Sequence, residues 1–243
     1  IESAPTTSLS IGKAYARGAW TERGGDTTPL RDPATGEVVG NIGTGPFDWE
    51  GAIEYAKTAG VRMLSRMSLE ERAQMLTNAS SAITKHRKEL IALAMQFGKT
   101  ENDAKADLNG AILAYKYYGE LGLRLAKGPL KTGAKMVEIQ GNRRYVGVTV
   151  QVVDGRIRIL EDQGVNDLKL VPGNVAILID AFNFFFWGAH HKAAAALLAG
   201  TPVISKPATA TALASQRLME ILEEEGAFPE GVFQFVSGGI PPE

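Results

Sequence analysis

The spacing of apolar residues divides the chain into parts with different periods. Residues 1–45 predict loops and short strands, with the turn 32-DPATG-36 placed before the strand-like run 37-EVVGNI-42. From Phe47 to Leu123 apolar residues recur at helical spacing, and glycines are sparse. This region predicts three helices, over about 48–65, 68–97 and 101–123.

The second of these helices carries its own start and stop signals. Ser68 and Glu71 have the spacing of a capping box, in which each side chain accepts a hydrogen bond from the backbone N–H of the other residue. Gly98, directly after Phe97, offers a C-terminal stop. The pattern is also compatible with a break near His86.

The period changes again over residues 144–171. Two β-rich runs, RYVGVTVQVV and RIRILEDQ, flank Asp154-Gly155, a dipeptide typical of two-residue hairpin turns. Both arms carry polar or charged residues. The sequence therefore predicts a β-hairpin with one face in water or against another subunit.

Strands and helices alternate from residue 174 onward. The runs 175-VAILID-180, 202-PVISK-206 and 232-VFQFVS-237 predict strands, and helices are expected over about 187–199 and 211–226. Apolar strands separated by helices are typical of a parallel sheet covered on both faces. Ligands of such sheets bind outside the carboxyl ends of the strands. Asn183 and Lys206 both fall at such ends.

The composition narrows the classes of function. The chain has 243 residues, of which 44% are hydrophobic and 22% charged, as in an ordinary globular protein. A net charge of -1 and the lack of any Lys/Arg block argue against nucleic acid as a partner. The absence of cysteine excludes disulfides, thiolate metal sites and a cysteine nucleophile within this chain.

Membrane and metal sites are not expected either. No apolar run approaches the ~20 residues that span a bilayer, and the N-terminus lacks the order of a signal peptide. We therefore expect a cytoplasmic protein. His190 and His191 are adjacent, so on a helix they would point about 100° apart, which disfavours a shared metal ion.

Three segments carry a resemblance to a known family. The superfamily that they resemble is that of the aldehyde dehydrogenases, and the segments are 181-AFNFFFWG-188, 204-ISKPATAT-211 and 229-PEGVFQFVSG-238. Their sequences look closest to the CoA-linked semialdehyde dehydrogenases of aromatic-acid degradation. The helical segments 68–100 and 112–122 also look like the family's, so the resemblance covers about Gly18 to Gly239.

The resemblance implies an incomplete α/β cofactor domain. We expect N-terminal helices plus the first part of a Rossmann-like parallel sheet, with a protruding β-hairpin. The expected division is residues 1–143 as N-terminal strands and helices, 144–171 as the hairpin, and 172–243 as a Rossmann-like β-α-β-α-β segment. The segments that carry the family's general-base glutamate and nucleophilic cysteine are missing. We therefore expect a fragment or a truncated relative.

Two residues stand where the family places functional groups. The resemblance implies that the amide of Asn183 stabilises the oxyanion formed from the aldehyde, whereas a helix N-cap is the alternative. Lys206 is implied to bind the adenosine ribose, with a lysine snorkelling at an exposed strand end as the alternative.

The remaining candidate residues concern the dinucleotide. Thr209 replaces a glutamate that many NAD-preferring members carry, which favours NADP over NAD as the cofactor, although a capping threonine is the alternative. Ile179, Asp180, Ala181 and Phe182 are implied to line the cofactor's approach, with Asp180 a carboxylate that could repel phosphate. Gly238 and Gly239 are implied to form a loop against the nucleotide, and an ordinary turn is the alternative.

Two functions from different classes follow. The first is the cofactor-binding portion of an NAD(P)-dependent aldehyde dehydrogenase that oxidises an aldehyde to the acid, with a CoA-linked semialdehyde as a candidate substrate. This chain would be inactive alone, and its parent enzyme would be a homo-oligomer. The alternative is a non-catalytic nucleotide-binding or assembly module that pairs with another subunit through the hairpin over 144–171. An unrelated two-layer α/β binding protein is a third interpretation.

Overall fold

The computed structural model describes residues 12–127, 148–153, 156–162 and 175–238. Its largest sheet has five strands in the order β2-β1-β9-β8-β7. The strands of this sheet are β1 (Lys13–Ala16), β2 (Ala19–Glu22), β7 (Ala176–Ile179), β8 (Val203–Lys206) and β9 (Phe233–Val236).

Three of these strands form the predicted parallel sheet. β7 pairs in parallel with β8, and β8 pairs in parallel with β9. The connections pass through helices α6 (Trp187–Leu198) and α7 (Ala212–Glu224). The continuous apolar runs become strands because helices cover the sheet, as the burial of all four residues of β9 indicates. The prediction of a β-α-β-α-β segment is confirmed.

The N-terminal strands extend this sheet in a way that the sequence did not indicate. β1 runs antiparallel to β9, with Ala14 opposite Val236 and Tyr15 opposite Phe235. A tight turn joins β1 to β2, and both Arg17 (φ 54) and Gly18 (φ 77) have the positive φ of a primed hairpin turn. The edge of β9 is therefore covered.

The helices of the region from Trp49 to Lys127 lie close to the predicted bounds. The first helix comprises α1 (Trp49–Tyr55), a π-helical turn over Ala56–Gly60, and α2 (Val61–Arg66). The second divides at His86 into α3 (Leu69–Lys85) and α4 (Arg87–Gln96). The third, α5 (Glu101–Lys127), ends four residues beyond the predicted residue 123.

The local signals act as the sequence predicts. Ser68 Oγ accepts from the Glu71 N–H at 3.1 Å, and a Glu71 carboxylate oxygen accepts from the Ser68 N–H at 2.7 Å, so the capping box is present. Gly98 follows α4 with φ 89, a conformation that side chains with a Cβ rarely adopt.

Two smaller sheets complete the described strands. β3 (Thr27–Arg31) pairs antiparallel with β4 (Val38–Gly43) around the predicted 32–36 turn. The predicted hairpin is β5 (Val148–Val153) and β6 (Arg156–Asp162), in which Val153 stands opposite Arg156, so two residues connect the strands. The predicted domain boundaries at 143/144 and 171/172 lie outside the described residues.

One core joins the N-terminal helices to the C-terminal sheet. Side chains of α3, α5, α6, α7 and the parallel strands meet in a single buried cluster. Tyr115 on α5 and the neighbouring Phe185 and Phe186 are among its largest fully buried side chains. Burial of each large apolar side chain contributes about 1.5–3 kcal/mol. This packing fixes α5 against the residues that follow β7.

Candidate functional site

The candidate site lies at the carboxyl edge shared by two parallel strands. Ile179, the last residue of β7, is in register with Lys206, the last residue of β8. The Asp180 N–H donates to the Lys206 carbonyl at 3.2 Å. The turn that carries Asn183 and the segment that carries Thr209 therefore leave the sheet at the same edge, as the sequence predicted.

Helix α6 is capped by a residue from another helix. Asp107, on α5, accepts hydrogen bonds from the N–H groups of Phe186 (3.2 Å) and Trp187 (2.8 Å). Asn183 makes no capping bond to α6, whose N-cap position is Phe186. The N-cap alternative for the Asn183 side chain is therefore wrong.

The Asp107 carboxylate is buried and charge-compensated. Its side chain has no exposed surface and lies 3.4 Å from Lys99 Nζ. Burial raises the pKa of Asp107, while the Trp187 N–H, the Lys99 ammonium and the Phe186 N–H act against that rise. The N-terminal end of α6 supplies a favourable partial positive charge for this carboxylate.

Lys99 contacts the same turn from its other end. Lys99 Nζ donates to the Asn183 carbonyl at 2.5 Å. The ammonium also lies over the rings of Phe184 and Phe185, at 5.3 and 4.8 Å from their centroids. The Asn183 backbone is thus held at its carbonyl oxygen by Lys99.

The Asn183 side chain itself is not used by the fold. The residue is exposed, and among the residues that the structure describes its amide has no hydrogen-bond partner. Exposed aromatic side chains surround it in sequence: Phe182, Phe184 and Trp187. The amide N–H is consequently available to a ligand at this edge.

Lys206 presents a cation without a carboxylate partner in the described part of the chain. The residue is half-buried, and its Nζ donates to the Pro207 carbonyl at 3.1 Å. Burial, and secondarily the charge of Arg23, lower the pKa of Lys206. An anionic or hydroxyl-rich ligand would relieve this cost.

Asp180 is buried and is paired with protein groups. Its carboxylate is only 1% exposed and forms an ion pair with Lys192 on α6 at 2.5 Å. Ser205 Oγ also donates to it at 3.3 Å. Because Lys192 compensates its charge, the Asp180 carboxylate gives no support to the expected repulsion of a phosphate. Ile179, Ala181 and Phe182, in contrast, are exposed at the sheet edge.

Thr209 begins the short 3₁₀ helix Thr209–Thr211 that precedes α7. The N-cap of that turn is Ala208 and the N-cap of α7 is Thr211, and neither start has a side-chain capping bond. The capping alternative for Thr209 is therefore wrong. Its hydroxyl has no hydrogen-bond partner within the described ranges.

Gly238 has a structural reason to be glycine. Its φ is +94, and an added Cβ would lie 2.4 Å from the Gly43 carbonyl oxygen. Arg23 Nη1 donates to the neighbouring Ser237 carbonyl at 2.7 Å, and Arg23 Nε donates to the Gly45 carbonyl at 3.1 Å. These bonds hold the Ser237–Gly238 segment beside the residues that follow β4. The predicted contact of Gly238 with a nucleotide stays a prediction, and Gly239 lies outside the described residues.

Two further features bear on the class of site. Among the described residues, no group of His, Cys, Asp and Glu side chains is arranged to hold a metal ion. None of the described helices combines the length and the hydropathy needed to cross a bilayer.

The described residues form an α/β fold with a candidate ligand site at the carboxyl edge of parallel strands. Residues 20–241 match the model of the aldehyde dehydrogenase family, and the chain belongs to that family. A 3,4-dehydroadipyl-CoA semialdehyde dehydrogenase of Aromatoleum evansii is 36% identical over 230 residues, which make up 93% of this chain and 40% of that protein. The chain thus spans about two-fifths of the length of this relative.

Solved structures agree with the fold. Proline utilization A from Bdellovibrio bacteriovorus matches with a TM-score of 0.73 at 22% identity, over 95% of this chain and 21% of that one. Betaine aldehyde dehydrogenase from Staphylococcus aureus in complex with NAD+ matches with a TM-score of 0.69 at 24% identity, over 94% of this chain and 41% of that one.

Lys99 and Asp107 are the residues at this site that sequence reasoning missed. Lys99 stands in the FGKT segment that ends the second predicted helix region, and that segment was assigned no role at the site. Asp107 lies within α5 among ordinary polar positions, and 79 residues separate it from Phe186. Nothing in the local pattern indicates that contact.

Proposed function

We propose that this chain is the cofactor-binding portion of an NAD(P)-dependent aldehyde dehydrogenase that oxidises an aldehyde to the acid. The observation that carries the proposal is the shared strand edge, where an amide and an ammonium group have no carboxylate partner among the described residues. A CoA-linked semialdehyde is the favoured substrate class, because the most similar relative described above is named for one.

The described residues fit a nicotinamide dinucleotide. The Lys206 ammonium would donate to ribose hydroxyls, and the exposed Ile179, with 75% of its surface accessible, would cover an apolar part of the ligand. The Asp180 carboxylate is already paired with Lys192 and adds no uncompensated negative charge. Once bound, the dinucleotide supplies the hydride acceptor for the reaction.

Asn183 has a role in the chemical step. Addition of a nucleophile to the aldehyde turns its carbonyl oxygen into an oxyanion, and the Asn183 amide N–H donates to that oxygen as the charge develops. The family's nucleophile is a cysteine, and this chain has none. The nucleophile therefore comes from a segment outside this sequence. We refer to the polypeptide that joins this chain to such a segment as the complete enzyme.

Thr209 favours NADP within this proposal. A carboxylate at that position would accept from the ribose 2′-hydroxyl and repel a 2′-phosphate, whereas a threonine hydroxyl can donate to the phosphate. The nearby cations Lys206 and Arg23, whose charges interact, add a positive potential for the extra phosphate.

Replacement of Asn183 tests the proposal. In the complete enzyme, Asn183→Ala is expected to lower kcat about 100- to 1,000-fold, with little change in the KM for the dinucleotide. Asn78→Ala on the exposed face of α3 is the matched control and should leave kcat unchanged. An Asn183→Ala enzyme with wild-type kcat would remove this residue from the chemistry.

The assembly module is the second candidate. The β5–β6 hairpin forms a two-stranded sheet that pairs with none of the other described strands. Unpaired strand edges are suited to joining a neighbour's sheet. Size-exclusion chromatography with light scattering would compare the protein with its Val152→Lys variant. Loss of a homo-oligomer in the variant supports assembly through the hairpin, and a monomer in both rejects it.

A further inference from the structure

Lys99 and Asp107 form a buried ion pair beneath the turn that carries Asn183. The two side chains are 10% and 0% exposed, and Lys99 Nζ lies 3.4 Å from Asp107 Oδ2. A buried ion pair contributes little net stability, because desolvation of both charges offsets their attraction. Packing alone therefore gives a weak reason for charges at these positions.

The contacts of the pair converge on the two ends of one turn. Lys99 donates to the Asn183 carbonyl at 2.5 Å. Asp107 accepts from Phe186 N–H at 3.2 Å and from Trp187 N–H at 2.8 Å. The turn from Asn183 to Trp187 is thus held at its first carbonyl and at its last amides, and it cannot rotate at one end without breaking a charge-assisted bond.

The hydrogen bond from Lys99 to the Asn183 carbonyl has no role in capping α6, and this separates it from the bonds of Asp107. Asp107 by itself would suffice to cap α6, since it satisfies two of the N–H groups at that helix end. The Asn183 carbonyl lies before the helix, so the bond from Lys99 adds nothing to helix capping. This bond instead fixes the orientation of the peptide group that follows the Asn183 Cα, and the Asn183 side chain is attached to that Cα.

We propose that Lys99 and Asp107 are positioning residues that hold the Asn183 amide in place for the oxyanion. The proposal rests on the proposed function of Asn183. An oxyanion donor acts only when it is held at hydrogen-bond distance from the developing charge. A displacement of about 1 Å can cost roughly 100-fold in rate. Loss of either partner would leave the amide present but badly placed.

A double-mutant cycle in the complete enzyme tests the proposal. Lys99→Met is expected to lower kcat about 30-fold in the wild-type background, with the dissociation constant for the dinucleotide unchanged. In the Asn183→Ala background the same change should lower kcat by less than about twofold, because the amide that it positions is absent. Lys105→Met, which removes a partly exposed lysine of α5 that pairs with Glu101, is the matched control and should leave kcat unchanged.

Hydrogen exchange supplies a second measurement that needs no turnover. Lys99→Met should speed exchange of the Phe186 and Trp187 amides, which donate to Asp107, at least tenfold and leave the rest of α6 protected. Lys99→Arg keeps the charge but changes the donor geometry, so it should fold with a near wild-type midpoint and still show reduced kcat. If Lys99→Met does not fold, Lys99→Arg takes its place in the cycle, with the same expectation of coupling.

The kcat values of these variants distinguish the positioning role of Lys99 and Asp107 from the proposed role of Asn183. An equal loss of kcat in both backgrounds, or a wild-type kcat in Lys99→Met and Lys99→Arg, overturns the positioning role while Asn183 keeps its own. If Asn183→Ala has wild-type kcat, the proposed role of Asn183 fails, and the positioning role fails with it.

Discussion

His190 gives the sharpest prediction about stability and pH. This residue of α6 is buried, and its Nδ1 lies 2.8 Å from the hydroxyl oxygen of Tyr115 on α5. Its ring also packs against Phe233, with centroids 5.7 Å apart. Burial lowers the pKa of His190 to about 3. The folded protein therefore holds this imidazole neutral well below its ordinary pKa.

The sign of the pH effect follows from that shift. The unfolded chain binds a proton on His190 near pH 6.5, whereas the folded chain does not until about pH 3. Acid therefore favours the unfolded state, and the stability present above pH 6.5 is lost progressively as the pH falls towards 3. The two pKa values imply a loss of about 2 kcal/mol between pH 7 and pH 5 from this residue alone.

Urea unfolding at pH 7, 6 and 5 measures the effect. His190→Gln removes the titrating group, so its free energy of unfolding should fall about 2 kcal/mol less than that of the wild type over this range. All other groups are the same in the two proteins, so their contributions cancel in the comparison. Equal pH slopes for the two proteins would refute the reasoning.

Three further predictions concern the fold and the cofactor. Ser68→Ala should lower the free energy of unfolding by about 1 kcal/mol, measured in urea against Ser65→Ala; equal values contradict the capping box. In Gly110→Ala, the new Cβ would lie 2.4 Å from Trp187 Cγ. The free energy of unfolding should therefore fall by about 1–3 kcal/mol, which lowers the thermal midpoint. An unchanged midpoint contradicts that packing. Thr209→Glu should shift kcat/KM at least tenfold towards NAD, and an unchanged NADP/NAD ratio argues against the assignment.

Local signals made much of the fold predictable. The Ser68–Glu71 box and the break at His86 depend on residues within one or two helical turns, and both are present. The hairpin required only Asp154-Gly155 between two β-rich runs. The parallel strands follow from apolar runs that alternate with helices. In each case the interaction that decides the structure lies within the window that the pattern covers.

Distant contacts were not predictable in this way. The pairing of Tyr15 with Phe235 brings together residues from opposite ends of the chain, so no local window contains it. The same is true of Asp107, whose bonds to Phe186 and Trp187 give α6 its cap. Because that cap comes from α5, the sequence left Asn183 with two competing roles, and only the three-dimensional structure removes one of them.

Lys206 provides the most direct test of the central claim that this strand edge binds a nicotinamide dinucleotide. Isothermal titration calorimetry on the complete enzyme would compare NADP binding by the wild type and by Lys206→Met. Loss of one charge-assisted hydrogen bond to a ribose predicts at least a tenfold rise in the dissociation constant. Equal dissociation constants in the two proteins would contradict the assignment of this edge as the cofactor site.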